Sequence, residues 1–372
     1  MSFAPLDRLH AARDRLLGNA AFRAWAAWFP LTRPLVRRRA RAAFDLCSGF
    51  VYSQVLLACV RLRVFQILGE RPQTVPVLAR RLKLSLDATQ RLLTAAVALR
   101  LAESRAGGCY GLGELGATIA GEPAIAAMVE HNALLYADLA DPVALLRGTN
   151  EPTRLGNYWP YVDGGAPSDL SPERVAPYSD LMSESQPLVA DQILSAYPFE
   201  RHRCLLDVGG GEGGFLCSVA ARHAELRLVL FDLPAVTQRA QARFARAGLA
   251  SRIQSTGGDF LRDRLPEGAD IVSLIRVVHD HDDATAAMVL GSVRRALARD
   301  ATLLIAEPMA DTPGAEIVGD AYFAMYLLAM GRGRVRSFEE LAALVRAAGF
   351  TGVRRLATHV PLQTSVLVAR AG

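Results

Sequence analysis

Residues 205–216 read Leu-Leu-Asp-Val-Gly-Gly-Gly-Glu-Gly-Gly-Phe-Leu, an apolar strand that runs directly into a glycine-dense turn and then a helical pattern. Glycines allow positive φ and let a ligand approach the backbone closely, and the helix that follows presents unpaired N–H groups at its N-terminus. The next strand, Leu226 to Phe231, ends at Asp232, whose carboxylate is placed to accept hydrogen bonds from ribose hydroxyls. Together these features predict a Rossmann-like βαβ unit with a nucleotide-type site.

The glycine pattern alone does not decide which nucleotide binds. Gly209, Gly211 and Gly214 fit the dinucleotide pattern G-x-G-x-x-G. The first two also form the looser pattern G-x-G-x-G with Gly213. Asp207, two positions before the first of them, would repel a pyrophosphate but would attract a cationic amino-acid group. We therefore favour S-adenosylmethionine, which carries an ammonium and a sulfonium, over a nicotinamide cofactor. Asp259 and Phe260 follow another short strand and could hold the adenine amino group and the adenine ring.

A candidate chemical centre follows the strand 271–278, where the sequence continues His-Asp-His-Asp-Asp over 279–283. The carboxyl edge of a parallel sheet is where α/β proteins bind ligands. Methyl transfer to a hydroxyl requires the nucleophile to lose its proton, and a neutral imidazole can take that proton, so His279 is the predicted base. Glu307 ends the next strand and would hold the other imidazole N–H, unless it only caps its own loop. A metal site with His281 is the weaker alternative, because no spaced third histidine completes a zinc pattern.

The remaining strands alternate with helices, which predicts a mostly parallel sheet of seven strands with helices on both faces. The predicted parallel strands are 204–208, 226–231, 253–257, 270–275 and 301–306. Two β-rich runs near the C-terminus, 353–359 and 365–369, predict an antiparallel hairpin, which fits a methyltransferase better than a dehydrogenase. Before it, a stripe of large side chains repeats at helical spacing and is either core packing or the wall of an apolar pocket: Tyr322, Met325, Tyr326 and Met330.

The N-terminal half is helical and predicts a separate module. Helices with candidate N-caps at Thr74 and at Ser85 or Asp87 precede a glycine-rich hairpin over 103–112, which together describe a winged helix. Such a module can bind DNA, but its arginines are few, so we expect dimerisation and no nucleic-acid partner. We predict an arm over 1–42, a winged-helix-like dimerisation domain over 43–150 and a catalytic domain over 151–372, with the boundary in a Gly-, Pro- and Asn-rich connection.

Composition sets the class and the compartment. The chain has 372 residues, 51% of them hydrophobic, which suffices for two domains and a well-buried core. The net charge of +5 does not demand nucleic acid. Five cysteines without C-x-x-C spacing are typical of a reducing, cytosolic compartment. We find no apolar run near the length of a membrane span and no signal-peptide core, so we expect no membrane crossing.

The arm has an unusual composition. Residues 20–41 combine tryptophan, phenylalanine and leucine with an arginine cluster, as in helices that lie at a lipid interface. An arm that packs on a partner subunit is an equally good interpretation. We therefore keep open a peripheral contact with a membrane.

At this point the residues resemble a known family, the plant-type S-adenosylmethionine-dependent O-methyltransferases, over about residues 40–370. The motifs that carry the resemblance are 205–215, Asp232, Asp259-Phe260, 276–280, Glu307 and Arg336-Ser337. The stretch 44–60 is most similar to the bacterial carotenoid branch. That resemblance implies methylation of the tertiary 1-hydroxyl of a lipophilic acyclic carotenoid by a homodimer.

The resemblance also implies roles for individual residues. His279 would be the base, Asp280 its substrate-side neighbour and Glu307 the orienting carboxylate, with no metal. The residues expected to bind the cofactor are Asp207, Gly209, Gly211, Gly213, Asp232, Leu233, Asp259, Phe260 and Arg276. His281 replaces a tryptophan of the plant relatives, and Val335 replaces a second glutamate. In the helix beside the cofactor, Met182 and Ser183 keep the pattern, whereas Tyr178-Ser179 replaces a Phe-Asn pair.

Other functions remain open at the level of sequence. The chain could methylate a phenolic or polyketide hydroxyl instead of a carotenoid. A winged-helix regulator that senses a nucleotide would perform no chemistry, and a nicotinamide oxidoreductase would bind NADH tightly.

Overall fold

A computed structural model describes residues 5–149, 152–158 and 185–372. The chain forms two compact units, one ending at Gly121 and the other beginning at Glu122. Sequence reasoning placed this boundary near residue 150, where the composition changes. The helices over 123–158 belong to the second unit because their apolar side chains pack against a helix near residue 330. The predicted positions Tyr178, Ser179, Met182 and Ser183 lie outside the described residues.

The first unit is helical with one small sheet. Its helices are α1 (Pro5–Gly18), α2 (Ala20–Trp28), α3 (Arg33–Arg61), α4 (Val64–Glu70), α5 (Val75–Leu82), α6 (Leu86–Ala98) and α7 (Glu114–Gly121). Its strands are β1 (Gln73–Thr74), β2 (Ala102–Arg105) and β3 (Cys109–Leu112), in the order β1-β3-β2 and all antiparallel. Ser85 caps α6 by accepting the Ala88 N–H at 3.1 Å. The helix, turn, helix and hairpin predicted for a winged-helix-like module are confirmed, with β1 as an additional short strand.

Helix α3 corrects one sequence-based statement. This 29-residue helix contains an 18-residue window of mean hydropathy 1.5, long and apolar enough to cross a membrane by length and composition, so the expectation that no such run exists was wrong. Polar residues such as Asp45, Ser48 and Ser53 interrupt its apolar residues. A single helix of this kind is weak evidence for a membrane span, because core helices of soluble proteins meet the same criterion.

The second unit contains the large sheet. Its helices are α8 (Pro123–Asp138), α9 (Pro142–Leu146), α10 (Arg154–Tyr158), α11 (185–196), α12 (Gly214–Arg222), α13 (Pro234–Arg246), α14 (Asp283–Ala296), α15 (Ala324–Met330) and α16 (Phe338–Ala347). A π-helical segment, Ile317–Phe323, leads into α15. The strands are β4 (Cys204–Val208), β5 (Arg227–Asp232), β6 (Ile253–Gly257), β7 (Ile271–Ile275), β8 (Thr302–Glu307), β9 (Phe350–Leu356) and β10 (Ser365–Ala371).

These strands form one sheet in the order β6-β5-β4-β7-β8-β10-β9. The first five run parallel, and β10 is antiparallel to both β8 and β9. Successive residues of β4 enter different cores, since Leu205 lies in one apolar cluster whereas Leu206 and Val208 lie in the other. Period-2 alternation in a strand produces this two-faced burial. The predicted fold is therefore confirmed for the described residues, and the strand order reverses between β4 and β7, where ligands of α/β proteins bind.

Candidate active site

A cavity of about 710 Å³ lies within the second unit, at the carboxyl ends of β4, β5 and β7. Eight of the nine residues predicted to bind a cofactor line it: Asp207, Gly209, Gly211, Asp232, Leu233, Asp259, Phe260 and Arg276. Asp280, His281 and the loop 331–333 also line it. The sequence motifs therefore meet in one place.

Asp207 lies in the wall of the cavity and is fully buried. Its Oδ1 accepts the Ser273 hydroxyl at 2.6 Å, whereas its Oδ2 has no hydrogen-bond partner among the described residues. Burial, and secondarily the negative charge of Asp232, raise the pKa of Asp207 to about 7. A buried acceptor without a partner is costly, so a ligand with a cationic N–H group would satisfy it.

The glycine turn between β4 and α12 provides a cradle for a ligand. Gly209, Gly211 and Gly213 all have φ between 60° and 73°, which side-chain-bearing residues rarely adopt. A Cβ at Gly209 would lie 2.8 Å from a methyl of Val277, whereas the space around Gly211 is open. Gly213 is not part of the cavity wall, because its α-carbon faces the ring of Phe244. Its role is to close the turn.

Asp232 and Asp259 each accept hydrogen bonds from nearby backbone N–H groups. Asp232 Oδ2 accepts the Gly211 N–H at 2.8 Å, and its Oδ1 accepts the Leu233 N–H at 2.7 Å. Burial raises the pKa of Asp232 to about 6, against the effect of those two hydrogen bonds. Asp259 Oδ1 accepts the Leu261 N–H at 2.9 Å. Both carboxylates line the cavity with oxygen lone pairs still available, as nucleoside hydroxyl and amino groups require.

Arg276 connects β7 to the start of α11. It has a φ of 55°, and its N–H donates to the Ala306 carbonyl at 2.8 Å, so the chain turns sharply at the end of the strand. Its guanidinium donates to the Ser185 hydroxyl at 2.8 Å and to the Gln186 side chain. Strained backbone of this kind is tolerated where surrounding contacts fix it, often at functional sites. Arg276 therefore holds one wall of the cavity in place.

His279 is buried behind the cavity wall, with 4% of its surface exposed. Its Nε2 lies 3.2 Å from Asp280 Oδ1, and its Nδ1 has no hydrogen-bond partner among the described residues. Burial, reinforced by the positive charges of Arg276 and Arg336, lowers the pKa of His279 to about 3. The imidazole is therefore neutral at physiological pH. Burial and the nearby Glu307 raise the pKa of Asp280 well above its ordinary value.

Glu307 contacts the backbone of the histidine loop instead of the imidazole. Its Oε2 accepts the His279 N–H at 3.0 Å, so the expected hydrogen bond to the ring is not the one observed. The reason is local: Val278–Asp280 forms a 3₁₀ turn directly after β7, and its N–H groups point toward the end of the neighbouring β8. Burial raises the pKa of Glu307 to about 7. The carboxylate still fixes the position of His279, but through the main chain.

Arg336 fixes the same loop from the other side. This fully buried guanidinium donates to the carbonyls of Val278 at 3.1 Å and His281 at 2.8 Å, and to Asp283 Oδ1 at 2.8 Å. The carbonyl of His279 accepts the Arg334 N–H at 2.8 Å. Sequence reasoning identified Arg336 as part of a motif but not as the clamp that holds the histidine loop.

An aromatic cluster beside His279 involves two polar residues that sequence reasoning missed. Tyr326 on α15 shares a 2.8 Å hydrogen bond with His131, and the Tyr322 hydroxyl donates to Asn132 Oδ1 at 2.8 Å. The ring of Phe323 lies 5.7 Å from that of His279. Tyr322 and Tyr326 therefore pack against α8. The neighbouring polar residues His131 and Asn132 on α8 are the sequence feature that could have indicated this contact.

The fold and the site define a methyltransferase that binds S-adenosylmethionine: a parallel sheet with an antiparallel end, a glycine turn, and acidic residues at three successive strand ends. Solved structures show the same fold. The chain aligns with human N-acetylserotonin methyltransferase, solved with SAM, at a TM-score of 0.72 and 24% identity, covering 90% of this chain and 98% of that one. It also aligns with PigF, solved with SAH, at a TM-score of 0.70 and 23% identity, covering 89% and 99%.

Sequence comparison gives the family. Residues 136–351 match the model of the O-methyltransferase domain, and residues 44–121 match that of the O-methyltransferase dimerisation domain. The chain is 42% identical to the demethylspheroidene O-methyltransferase of Cereibacter sphaeroides, over 95% of this chain and 93% of the relative. It is 41% identical to the enzyme of that name from Rhodobacter capsulatus, over 98% and 88%. The chain belongs to the S-adenosylmethionine-dependent O-methyltransferase family and is an enzyme of that class.

Proposed function

We propose that this enzyme methylates the tertiary 1-hydroxyl of acyclic hydroxycarotenoids such as demethylspheroidene and 1-hydroxyneurosporene, with His279 as the general base. The observation that carries the proposal is the similarity to two demethylspheroidene O-methyltransferases over nearly the whole chain. The neutral, buried histidine beside the cavity supports it, because a tertiary alcohol is a weak acid that needs a base in a dry environment.

The cofactor residues fit S-adenosylmethionine on the evidence of the cavity itself. Asp207 offers its unpaired Oδ2 to the ammonium group, and Asp232 and Asp259 offer carboxylate oxygens to the ribose hydroxyls and the adenine amino group. The glycine turn leaves room for the ligand beside the backbone. When bound, the cofactor supplies an electrophilic methyl group on a sulfonium.

His279 accepts the proton that the hydroxyl loses. One of its ring nitrogens has no partner and the other faces Asp280, so the carboxyl group stabilises the imidazolium that forms. Glu307 and Arg336 position the loop by holding its backbone N–H and carbonyl groups. Water is kept away by the aromatic cluster of Phe323, Tyr322 and Tyr326.

The test is turnover with defined acceptors. The purified chain, with S-adenosylmethionine and detergent-solubilised 1-hydroxyneurosporene or demethylspheroidene, should yield the methyl ether by mass spectrometry. Catechol and a hydroxylated polyketide serve as competing acceptors. Turnover of these phenols with none of the carotenoids would reject the carotenoid assignment.

The base is tested by substitution. His279→Ala should lower kcat by a factor of about 10² to 10⁴ while leaving cofactor affinity by calorimetry nearly unchanged. His359→Ala, which removes an exposed histidine of the same unit, is the matched control. An unaffected rate in His279→Ala would mean that positioning alone drives the reaction.

The dimerisation domain supports a further part of the proposal, that the enzyme works as a homodimer. We also propose a cytosolic location, since all five cysteines are free thiols. Sedimentation equilibrium of the purified chain tests the dimer.

A further inference from the structure

Helix α2 and the start of α3 expose an unusual combination of side chains. We call residues 20–41 the basic arm. Its large apolar side chains are exposed, Trp28 to 73% and Leu31 to 83%, and Trp25 and Leu35 to about half of their surface. Large exposed apolar groups at this density mark an interaction surface.

The charge of the basic arm has one sign. It contains six arginines and no aspartate or glutamate: Arg23, Arg33, Arg37, Arg38, Arg39 and Arg41. Arg41 Nε lies 3.9 Å from Oδ2 of Asp45, a residue just beyond the arm. Arg37, Arg38 and Arg39 are exposed and make no ion pair within the described part of the chain. Such a surface is complementary to an anionic partner.

The apolar and basic groups are held together by the turn between the helices. The Thr32 hydroxyl donates to the Ala26 carbonyl at 2.6 Å, and the Arg33 guanidinium donates to the Trp28 carbonyl at 3.2 Å. Arg33, Arg37 and Arg41 then follow at four-residue spacing, so they lie on one face of α3. The rings of Trp25 and Phe29 are stacked, with their centroids 5.2 Å apart.

We infer that the basic arm binds the surface of an anionic phospholipid bilayer. Tryptophan and leucine side chains insert at the boundary between headgroups and acyl chains, while the arginines contact lipid phosphates. A second copy of the chain is a poorer occupant, because the arm lies outside residues 44–121 and brings six positive charges with no acidic residue of its own. A nucleic-acid partner would pair its phosphates with the arginines but would offer no apolar surface to the exposed Trp28 and Leu31.

The experiment is flotation of the full chain with lipid vesicles. Vesicles with one-third phosphatidylglycerol should bind the chain, and pure phosphatidylcholine vesicles should bind it at least about tenfold more weakly. Arg37→Gln/Arg38→Gln/Arg39→Gln should lower the partition coefficient on anionic vesicles by roughly a hundredfold at low ionic strength. The matched control, Arg246→Gln/Arg299→Gln/Arg346→Gln, removes three exposed arginines of the second unit and should bind like the wild type.

Insertion is tested separately from charge. Trp28→Ser/Leu31→Ser keeps every arginine and the Trp25–Phe29 stack, and it should also weaken binding to anionic vesicles at least about tenfold. In Trp25→Phe/Trp159→Phe, Trp28 is the remaining tryptophan of the chain. Its emission should shift to the blue with anionic vesicles and be quenched by lipids brominated near the glycerol backbone.

Several outcomes overturn the inference. Equal weakening of the arm variant and the control variant would show a non-specific charge effect, and wild-type binding by both would show that the arm is not the binding surface. Retention on vesicles after an alkaline carbonate wash would indicate a spanning helix instead of a surface contact. Arm variants that change only the sedimentation coefficient would assign the arm to a second copy, and variants that lose only duplex DNA binding would assign it to nucleic acid.

The inference stands apart from the carotenoid assignment. Vesicle binding is measured without substrate, so it holds even if a phenol proves to be the acceptor. Conversely, arm variants should keep the turnover number on detergent-solubilised acceptor and lose rate only when the acceptor is presented in anionic vesicles. Loss of turnover in detergent would show that the arm serves the fold or the site instead.

Discussion

At the level of single residues, we predict that replacing Asp207 changes the stability of the ligand-free enzyme and its affinity for the cofactor in opposite directions. The pKa of Asp207 is raised from 3.8 to about 7, so the folded state holds more protons than the unfolded state between about pH 4 and 7. The contribution of this residue to stability therefore falls as pH rises through that window. Asp207→Asn should raise the melting temperature of the ligand-free enzyme at pH 7.5 and weaken binding of S-adenosylmethionine at least about tenfold.

Calorimetry across pH checks this account of Asp207. Wild-type affinity should increase from pH 5.5 to 7.5 as the carboxylate ionises, whereas the Asn variant should show little pH dependence. Ser273→Ala is the control, because it removes the 2.6 Å hydrogen bond to Oδ1 and leaves Oδ2 in place. An Asn variant that binds the cofactor as tightly as the wild type contradicts the role of Oδ2.

His279 makes a second prediction at this scale, on the pH dependence of the rate. A base must be deprotonated before it acts, and burial lowers the pKa of His279 from 6.5 to about 3. A bound sulfonium adds positive charge nearby and lowers the pKa further. At saturating cofactor, kcat/KM for the acceptor should therefore show no acidic limb near pH 6.5. An acidic limb at that pH that persists in a control variant lacking the exposed His359 would mean that His279 titrates as a solvated histidine.

At the scale of elements, the strand-turn-helix of β4 and α12 allows two glycines to be compared. Gly211 and Gly213 both have left-handed φ, so alanine at either position costs about 1–2 kcal/mol in backbone strain. Only Gly213→Ala adds a steric overlap, since its Cβ would lie 2.2 Å from the Phe244 ring. That overlap should cost a further ~1–3 kcal/mol in free energy of unfolding.

Urea unfolding of the two variants measures the difference, with Gly211→Ala as the matched control. Combining Gly213→Ala with Phe244→Leu should recover part of the additional loss in free energy of unfolding, because the smaller leucine side chain leaves room for the added Cβ. Equal destabilisation by the two single variants would show that Phe244 moves aside freely.

The elements that could be predicted from the sequence are those whose pattern is local. The β4 strand and its glycine turn were predicted from residues 204–214 because apolar runs and glycines encode burial and φ directly. The strand predicted over 353–359 begins at Phe350 instead, since the glycine at 352 is tolerated within a bulged edge strand. A boundary of this kind depends on pairing with β10, which no local pattern reveals.

Contacts between distant segments could not be predicted. The sequence places His279 and Glu307 at neighbouring strand ends, but it does not show that a 3₁₀ turn presents the His279 N–H, and not the ring, to the carboxylate. The hydrogen bond between His131 and Tyr326 joins residues 195 positions apart. Such pairs are set by packing of whole helices, so a single sequence carries little signal for them.

At the scale of the whole molecule, cofactor binding should appear as a thermal shift confined to one part of the chain. The cavity and all the acidic positions that line it lie in the second unit, which begins at Glu122. A ligand at about 100 times its Kd stabilises the state that binds it by about 2.7 kcal/mol, which corresponds to roughly 5–10 °C for a unit of this size. In calorimetric scans, S-adenosylhomocysteine should therefore raise the melting temperature of the second unit by that amount. NADH at the same concentration should leave it unchanged, because its pyrophosphate would lie beside the carboxylates of Asp207 and Asp232 and be repelled by them. Asp207→Asn should reduce the shift with S-adenosylhomocysteine, and a larger shift with NADH would exclude the sulfonium nucleoside as the physiological ligand.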